Sequence, residues 1–188
     1  MIVFTGSTEK GKLVALAAAK NLVPCVLELG GKSPAIIDES CDAALAAKKV
    51  LFGKMPNLGQ VCIAPDYIMC HESKINIFID SFKKQLEKGY NNCLTSAESG
   101  KMVNEFHLKR VCSLMENHGG EVIIGNKNAH IDFDLKPTII LNPAKDSKLM
   151  KEEIFGPIFP IILYTNIDEA IKYISEEQEK PLSVYYFG

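Results

Sequence analysis

The sequence predicts an α/β fold, because short strand-like runs alternate with longer segments of helical periodicity along its 188 residues. The first 30 residues show the pattern clearly. A strand is expected at 2–5, a helix at 9–21 and a second strand at 25–29. A crossover of this length allows the two strands to pair in parallel, and helices usually cover the faces of such sheets.

The ends of this first helix carry recognisable signals. Ser7 or Thr8 can act as its N-cap, because either hydroxyl can accept a hydrogen bond from a backbone N–H of the first turn. Pro24 is expected to end the helix before the second strand. The apolar face of the helix is predicted from residue spacing at Leu13, Leu16, Ala17 and Lys20.

The rest of the chain continues the alternation. Further strands are predicted at 35–37, 67–69, 121–124, 138–141, 159–164 and 183–187, and further helices at 74–88, 101–117 and 168–176. An Ala-rich helix capped by Ser40 or Asp42 is expected to end near Leu51, before an irregular loop from 53 to 60. No repeat or flexible linker interrupts these segments, so any domain boundary is expected to be packed.

Composition argues against several classes of protein. Lys and Arg total 21 against 23 Asp and Glu, and a net charge of −2 gives no electrostatic reason to expect nucleic acid as a partner. No apolar run approaches the roughly 18 residues that span a bilayer, so no membrane segment is expected in this chain. The six cysteines lack the spacing of metal ligands, and no metal is expected. Without a signal peptide they favour a reducing compartment, and we expect a cytoplasmic location.

A glycine-containing loop follows the first strand. Residues 6–12 (GSTEKGK) match the start of a phosphate-binding loop, but Leu13 replaces the hydroxyl residue that would hold magnesium, which disfavours a nucleoside triphosphatase. Gly6 and Ser7 still place free backbone N–H groups at a helix N-terminus, where an anion is favoured. An ordinary capped turn explains the same residues, and the sequence alone leaves both interpretations open.

Two side chains are candidates for chemistry. Glu28 lies on an apolar strand just before two glycines, and burial would raise its pKa and suit it to act as a general base. The alternative is an edge-strand Glu that faces water. Cys62 follows a glycine-containing loop, where backbone N–H groups could favour the reactive thiolate. Its alternative is a small buried hydrophobic residue, as is expected for the other five cysteines.

Four motifs taken together resemble the aldehyde dehydrogenase superfamily in their order and spacing. They are residues 4–8 (FTGST), 28–32 (ELGGK), 59–62 (GQVC) and 152–157 (EEIFGP), and the separation of 34 residues between Glu28 and Cys62 also agrees. Residues 62–67 (CIAPDY), together with 24–25 (PC) and 136–138 (KPT), look most like the class 3 and fatty aldehyde dehydrogenase branch.

This resemblance implies a fold and a set of domains. Residues 1–31 would be the C-terminal part of an NAD-binding domain, contributing the last βαβ unit of a Rossmann-type fold. Residues 32–188 would be an α/β catalytic domain that is incomplete at its C-terminus. The family's first βαβ units, its oxyanion-hole amide and its adenosine-ribose lysine would precede Met1, so the chain is expected to be truncated at both ends.

The resemblance also implies roles for residues at matching positions. Cys62 would be the nucleophile that forms a thiohemiacetal and then a thioester, and Glu28 would activate the water that hydrolyses it. The substrate would be an aldehyde and the cofactor NAD or NADP, and the full-length form would be a homodimer. The cofactor would contact Gly6, Ser7, Leu29, Glu153 and Phe155. Two alternatives stay open, namely an inactive fragment that binds a full-length subunit and a thiol esterase that needs no cofactor.

Overall fold

The computed structural model describes residues 1–89, 100–132, 135–177 and 180–188, which form two β-sheets with helices packed on them. The strands are β1 (Ile2–Gly6), β2 (Cys25–Leu29), β3 (Pro34–Ile37), β4 (Tyr67–His71), β5 (Glu121–Ile124), β6 (Thr138–Leu141), β7 (Ile158–Tyr164) and β8 (Tyr185–Phe187). The helices are α1 (Thr8–Lys20), α2 (Ala43–Lys54), α3 (Ile75–Gly89), α4 (Glu105–Ser113), α5 (Ala129–Asp132), α6 (Lys148–Lys151) and α7 (Ile167–Lys172). The predicted α/β class is therefore confirmed.

The sheets divide the chain between β2 and β3. β1 and β2 pair in parallel as a two-stranded sheet, and α1 connects them. The other strands form a six-stranded sheet in the order β5-β6-β7-β4-β3-β8, in which only β5 runs antiparallel to its neighbour. The division lies at residues 30–33, close to the domain boundary predicted at 31/32, which stays a prediction.

The six-stranded sheet has a buried core on each face. Successive residues of a strand point to opposite faces, so in β4 Ile68 and Cys70 pack on one side and Tyr67 and Met69 on the other. Helices α2 and α3 cover the first face, where Phe82 meets the Phe159 ring edge-on with ring centres 4.9 Å apart. Helices α4, α6 and α7 cover the second face. Coverage on both faces is what a mostly parallel sheet requires.

Helix α1 differs from its predicted packing. Ser7 caps it as expected, but Leu13 and Leu16 are exposed and the buried residues are Gly11 and Ala18. The cause is a close approach to β2, because a methyl group at Gly11 would overlap the Leu29 side chain. Small residues therefore face the sheet, and the larger apolar ones face outward.

Two further expectations need correction. The helix predicted over 101–117 is shorter, because Asn104 caps α4: its side-chain oxygen accepts a hydrogen bond from the His107 N–H at 2.9 Å. The helix predicted over 168–176 is α7, which continues into one turn of π-helix.

Of the cysteines expected to be buried, Cys93 lies outside the described residues. No described helix is long and apolar enough to cross a membrane.

Candidate functional site

The carboxyl ends of β1 and β2 bring two of the predicted segments together. Their register pairs Thr5 with Glu28 and Gly6 with Leu29, so the start of α1 and the end of β2 lie at the same edge of the sheet. The Ser7 hydroxyl accepts a hydrogen bond from the Lys10 N–H at 3.4 Å, which makes this a capped turn. The turn also directs the free N–H groups of the helix N-terminus toward the edge where Glu28 and Leu29 end the second strand.

Glu28 lies on the uncovered face of the two-stranded sheet. Leu27 and Leu29 are half-buried toward α1, whereas Val26 and Glu28 alternate with them and are exposed. The prediction that burial would desolvate Glu28 is therefore wrong for this chain, and the water-facing alternative describes it. No hydrogen bond links Glu28 to Cys62 within the described parts of the chain.

Glu153 lies against the glycines that follow β2. Its carboxylate packs so closely on Gly30 that a methyl group there would overlap both of its oxygens. Burial raises the pKa of Glu153, and a hydrogen bond from the Gly31 backbone N–H opposes that shift. The sequence separates Glu153 from β2 by more than 120 residues, and the fold places its carboxylate directly at the end of that strand.

The loop before Cys62 has an unusual backbone. Pro56–Gly59 is a turn rather than a regular helix, because Asn57, Leu58 and Gly59 have left-handed φ values of 50°, 54° and 76°. A methyl group at Gly59 would lie 2.6 Å from the carbonyl oxygen of Gly156, so this backbone approach requires glycine. The loop that leads to Cys62 therefore packs against Gly156, the residue that follows Phe155.

Hydrogen bonds on both sides fix the turn that carries Cys62. The Gln60 side-chain amide donates to the carbonyls of Asn57 and Lys101 at 2.8 and 3.1 Å, and its oxygen accepts from the Val103 N–H at 2.9 Å. Beyond the thiol, the Tyr185 hydroxyl donates to the Ile63 carbonyl.

The thiol itself is reduced and exposed at this fixed turn, so the alternative of a buried Cys62 does not hold. Among the other cysteines, Cys41, Cys70 and Cys112 are buried and Cys25 is half-buried. Exposure therefore distinguishes Cys62 from the other described cysteines.

Phe155 is held in a strained conformation beside this loop. Its φ of 51° lies in the left-handed region, which costs a non-glycine residue about 1 to 2 kcal/mol. The Arg110 guanidinium donates to the carbonyls of Glu153 and Ile154 at 3.1 and 2.6 Å, and Gly156 packs on Val111. Strain of this kind persists only where surrounding contacts fix the backbone.

Sequence reasoning missed the buried charges between these segments. Lys32, Lys54 and Asp66 are all buried, and the Lys32 ammonium forms an ion pair with the Asp66 carboxylate. Burial lowers the pKa of Lys54 to about 8, with Asp66 opposing the shift. The only sequence signal was that each residue borders a strongly apolar strand or helix.

As for metals, no group of three His, Cys, Asp or Glu side chains able to hold an ion occurs in the described part of the chain.

The fold and these motifs define an α/β protein with an exposed thiol on a fixed turn and a separate two-stranded βαβ unit. A sequence model described as the aldehyde dehydrogenase family matches residues 1–179, and the chain belongs to that family. The predicted family is therefore confirmed.

Relatives also confirm the predicted branch. The chain is 43% identical over all 188 residues to mouse (Mus musculus) aldehyde dehydrogenase family 3 member A2, of which it covers 38%. It is 41% identical to the dog (Canis lupus familiaris) dimeric NADP-preferring aldehyde dehydrogenase, covering 100% of this chain and 41% of that protein. A solved structure of the substrate-bound state of Staphylococcus aureus AldH superposes with a TM-score of 0.89 at 43% identity, over 99% of this chain and 41% of the other. The chain thus spans only about two fifths of the length of the curated relatives it matches.

Proposed function

We propose that the protein containing this sequence oxidises an aldehyde to a carboxylic acid with NAD or NADP as the hydride acceptor. The observation that carries the proposal is the placement of the exposed Cys62 thiol. Its approach loop packs on Gly156, and the adjoining segment holds Glu153 against Gly30 at the end of β2. Family membership supports this chemistry.

The described residues fit part of a dinucleotide. The N-terminus of α1 at Gly6 and Ser7 offers N–H groups to a pyrophosphate, and Leu29 ends the neighbouring strand at the same edge. Glu153 and Phe155 supply a carboxylate for a ribose hydroxyl and a ring for the nicotinamide. When bound, the dinucleotide supplies a two-electron acceptor for hydride.

The reaction then follows from the thiol and the carboxylate. The Cys62 sulfur adds to the aldehyde carbonyl, and the resulting thiohemiacetal loses hydride to leave a thioester on the same sulfur. The backbone N–H of Cys62 donates to the oxygen on which negative charge develops. Glu28 accepts a proton from the water that attacks the thioester, and the acid leaves as the thiol is restored. The exposure of Glu28 gives that water access.

The test compares three variants in the protein that contains this sequence. With NAD or NADP and a medium-chain aldehyde, Cys62→Ser should lower turnover at least about a hundredfold, because the hydroxyl is a far weaker nucleophile without a base. Glu28→Gln should still reduce one equivalent of nucleotide in a burst and then stall at the thioester. Cys25→Ser, which alters a half-buried thiol on β2, the strand that carries Glu28, is the control and should turn over normally.

Several outcomes would contradict the proposal. Unchanged aldehyde oxidation in Cys62→Ser would remove the assigned nucleophile. Ester hydrolysis that depends on Cys62 while no nucleotide binds would favour the thiol esterase instead. A chain that binds neither nucleotide nor ester but associates with a full-length subunit would favour the inactive fragment. One relative is named as dimeric, and we propose a homodimer for the full-length form, to be checked by its mass in solution.

A further inference from the structure

A buried ion pair lies outside the predicted site residues. The Lys32 side chain is only 5% exposed, and its ammonium donates to one oxygen of the Asp66 carboxylate. The same ammonium donates to the carbonyl oxygens of Leu149 and Glu152 at 3.0 and 2.9 Å. The other Asp66 oxygen accepts the Ile154 N–H at 2.8 Å. Both charged groups therefore use their hydrogen-bonding capacity on one stretch of backbone.

That stretch, residues 149–155, is here called the Glu153 segment. Helix α6 ends at Lys151, and the chain then runs irregularly to β7 with a left-handed residue at Phe155. Buried backbone groups outside helices and sheets need other partners. In the Glu153 segment these partners are Lys32, Asp66 and Arg110, whose guanidinium donates to the carbonyls of Glu153 and Ile154.

These three side chains are here called the clamp, and one of them, Asp66, also lies close to the thiol turn in the sequence. Asp66 lies four residues after Cys62, and its backbone N–H donates to the Ser33 carbonyl at 2.7 Å. Its backbone carbonyl accepts from the Lys54 ammonium at 2.8 Å. The backbone of Asp66 is therefore fixed to the residue before β3 and to the end of α2, while its carboxylate holds the Glu153 segment.

We propose that Lys32, Asp66 and Arg110 are positioning residues that set the placement of the Glu153 segment relative to the Cys62 turn and the end of β2. The kinetic part of this inference rests on the proposed function. The clamp touches backbone groups of the segment rather than a reacting atom, so it should govern nucleotide binding more than the chemistry of the thiol. Loss of one charge-assisted hydrogen bond in such a network typically weakens binding about tenfold or more.

The principal variant is Asp66→Asn, which keeps the shape of the side chain and leaves Lys32 without its counter-ion. We expect the KM for the nucleotide to rise at least about tenfold and kcat to change less than about threefold. The rate at which iodoacetamide alkylates Cys62 should stay within about twofold of wild type, because the thiol turn has its own hydrogen bonds. Asp146→Asn, which neutralises an exposed carboxylate just before α6, is the matched control.

Two more variants separate positioning from stability. Arg110→Met alters a half-buried residue, so it tests the clamp even if Asp66→Asn folds poorly. The double variant Lys32→Met with Asp66→Leu removes both buried charges, which commonly restores stability. It cannot restore the hydrogen bonds to the segment. We therefore expect the urea midpoint of the double variant to return toward the wild-type value while its KM for the nucleotide stays raised. If the ion pair only stabilised the fold, both the midpoint and the KM would return to wild-type values.

Amide hydrogen exchange supplies a readout that does not need activity. Exchange at residues 152–156 should accelerate at least about tenfold in Asp66→Asn and Arg110→Met relative to Asp146→Asn. Unchanged exchange together with an unchanged KM would overturn the clamp and leave the proposed function intact. If the wild-type protein shows no turnover, the proposed function fails, and the exchange comparison alone still decides whether the clamp holds the segment.

Discussion

The burial of Lys54 should make the unfolding free energy of the protein depend on pH. Its side chain is 1% exposed at the end of α2, its ammonium donates to the Asp66 carbonyl at 2.8 Å, and it lies 5.3 Å from the centre of the Phe159 ring. Burial lowers the pKa of Lys54 from 10.5 to about 8. The unfolded chain therefore holds this proton more tightly than the folded one.

The sign of the pH effect follows from that difference. Below pH 8 the lysine is charged in both states, and the folded state carries the full penalty of a buried ammonium. Between about pH 8 and 10.5 only the unfolded state stays fully protonated, so this group makes the protein more stable as pH rises, by about 1.4 kcal/mol per pH unit. The total is about 3 kcal/mol, and about 2 kcal/mol of it should be visible by pH 9.5.

The assay is urea unfolding of wild type and Lys54→Met at several pH values from 7 to 9.5. Subtraction of the two unfolding free energies removes the groups that titrate in both proteins. Between pH 7 and 9.5, the unfolding free energy of wild type should rise by about 2 kcal/mol relative to that of Lys54→Met. Lys48→Met, which replaces an exposed lysine on the same helix, should show no such trend. A difference between wild type and Lys54→Met that stays constant within about 0.5 kcal/mol would refute the buried-ammonium argument.

Four other substitutions test contacts of the site and the core. Gly59→Ala should lower the unfolding free energy by at least about 2 kcal/mol, measured in urea, because alanine is strained at a φ of 76° and its methyl would meet a backbone carbonyl at 2.6 Å. Gly30→Ala should displace the Glu153 carboxylate and weaken nucleotide binding about tenfold in a titration, while the rate of thiol alkylation stays at the wild-type value. Tyr67→Phe should be neutral or stabilising in thermal unfolding, because that hydroxyl is buried with no hydrogen-bond partner among the described residues. Tyr164→Phe should lower the unfolding free energy by about 1 kcal/mol, because the Tyr164 hydroxyl donates a hydrogen bond to a backbone carbonyl at 3.1 Å.

Local signals in the sequence predicted local structure well. The expected N-caps were Ser7 or Thr8 for α1 and Ser40 or Asp42 for α2. In the structure Ser7 and Asp42 accept hydrogen bonds from the first turns of these helices. The alternation of strands and helices gave the correct class because it depends on residues a few positions apart. Motif order identified the family, since it compares positions along the chain and needs no knowledge of contacts.

Properties that depend on distant partners could not be predicted in this way. The outward position of Leu13 follows from the close approach of Gly11 to Leu29, which helical periodicity does not contain. Lys32 and Asp66 are 34 residues apart, and charged residues are usually exposed, so their burial as a pair gives no local signal. The predicted burial of Glu28 was wrong, because a residue on an apolar strand is buried only if another element covers its face of the sheet.

Glu28 and Glu153 together show why the site depends on how its two sheets meet. Both carboxylates lie near the end of β2, yet Glu28 is exposed and Glu153 has a pKa raised by burial. The difference arises because Glu153 lies in the segment before β7 and packs against Gly30, between the two sheets. A shift of the β1–α1–β2 unit would therefore expose Glu153 before it disturbed the turn that holds Cys62. Nucleotide contact and thiol reactivity should thus respond separately to changes at this junction.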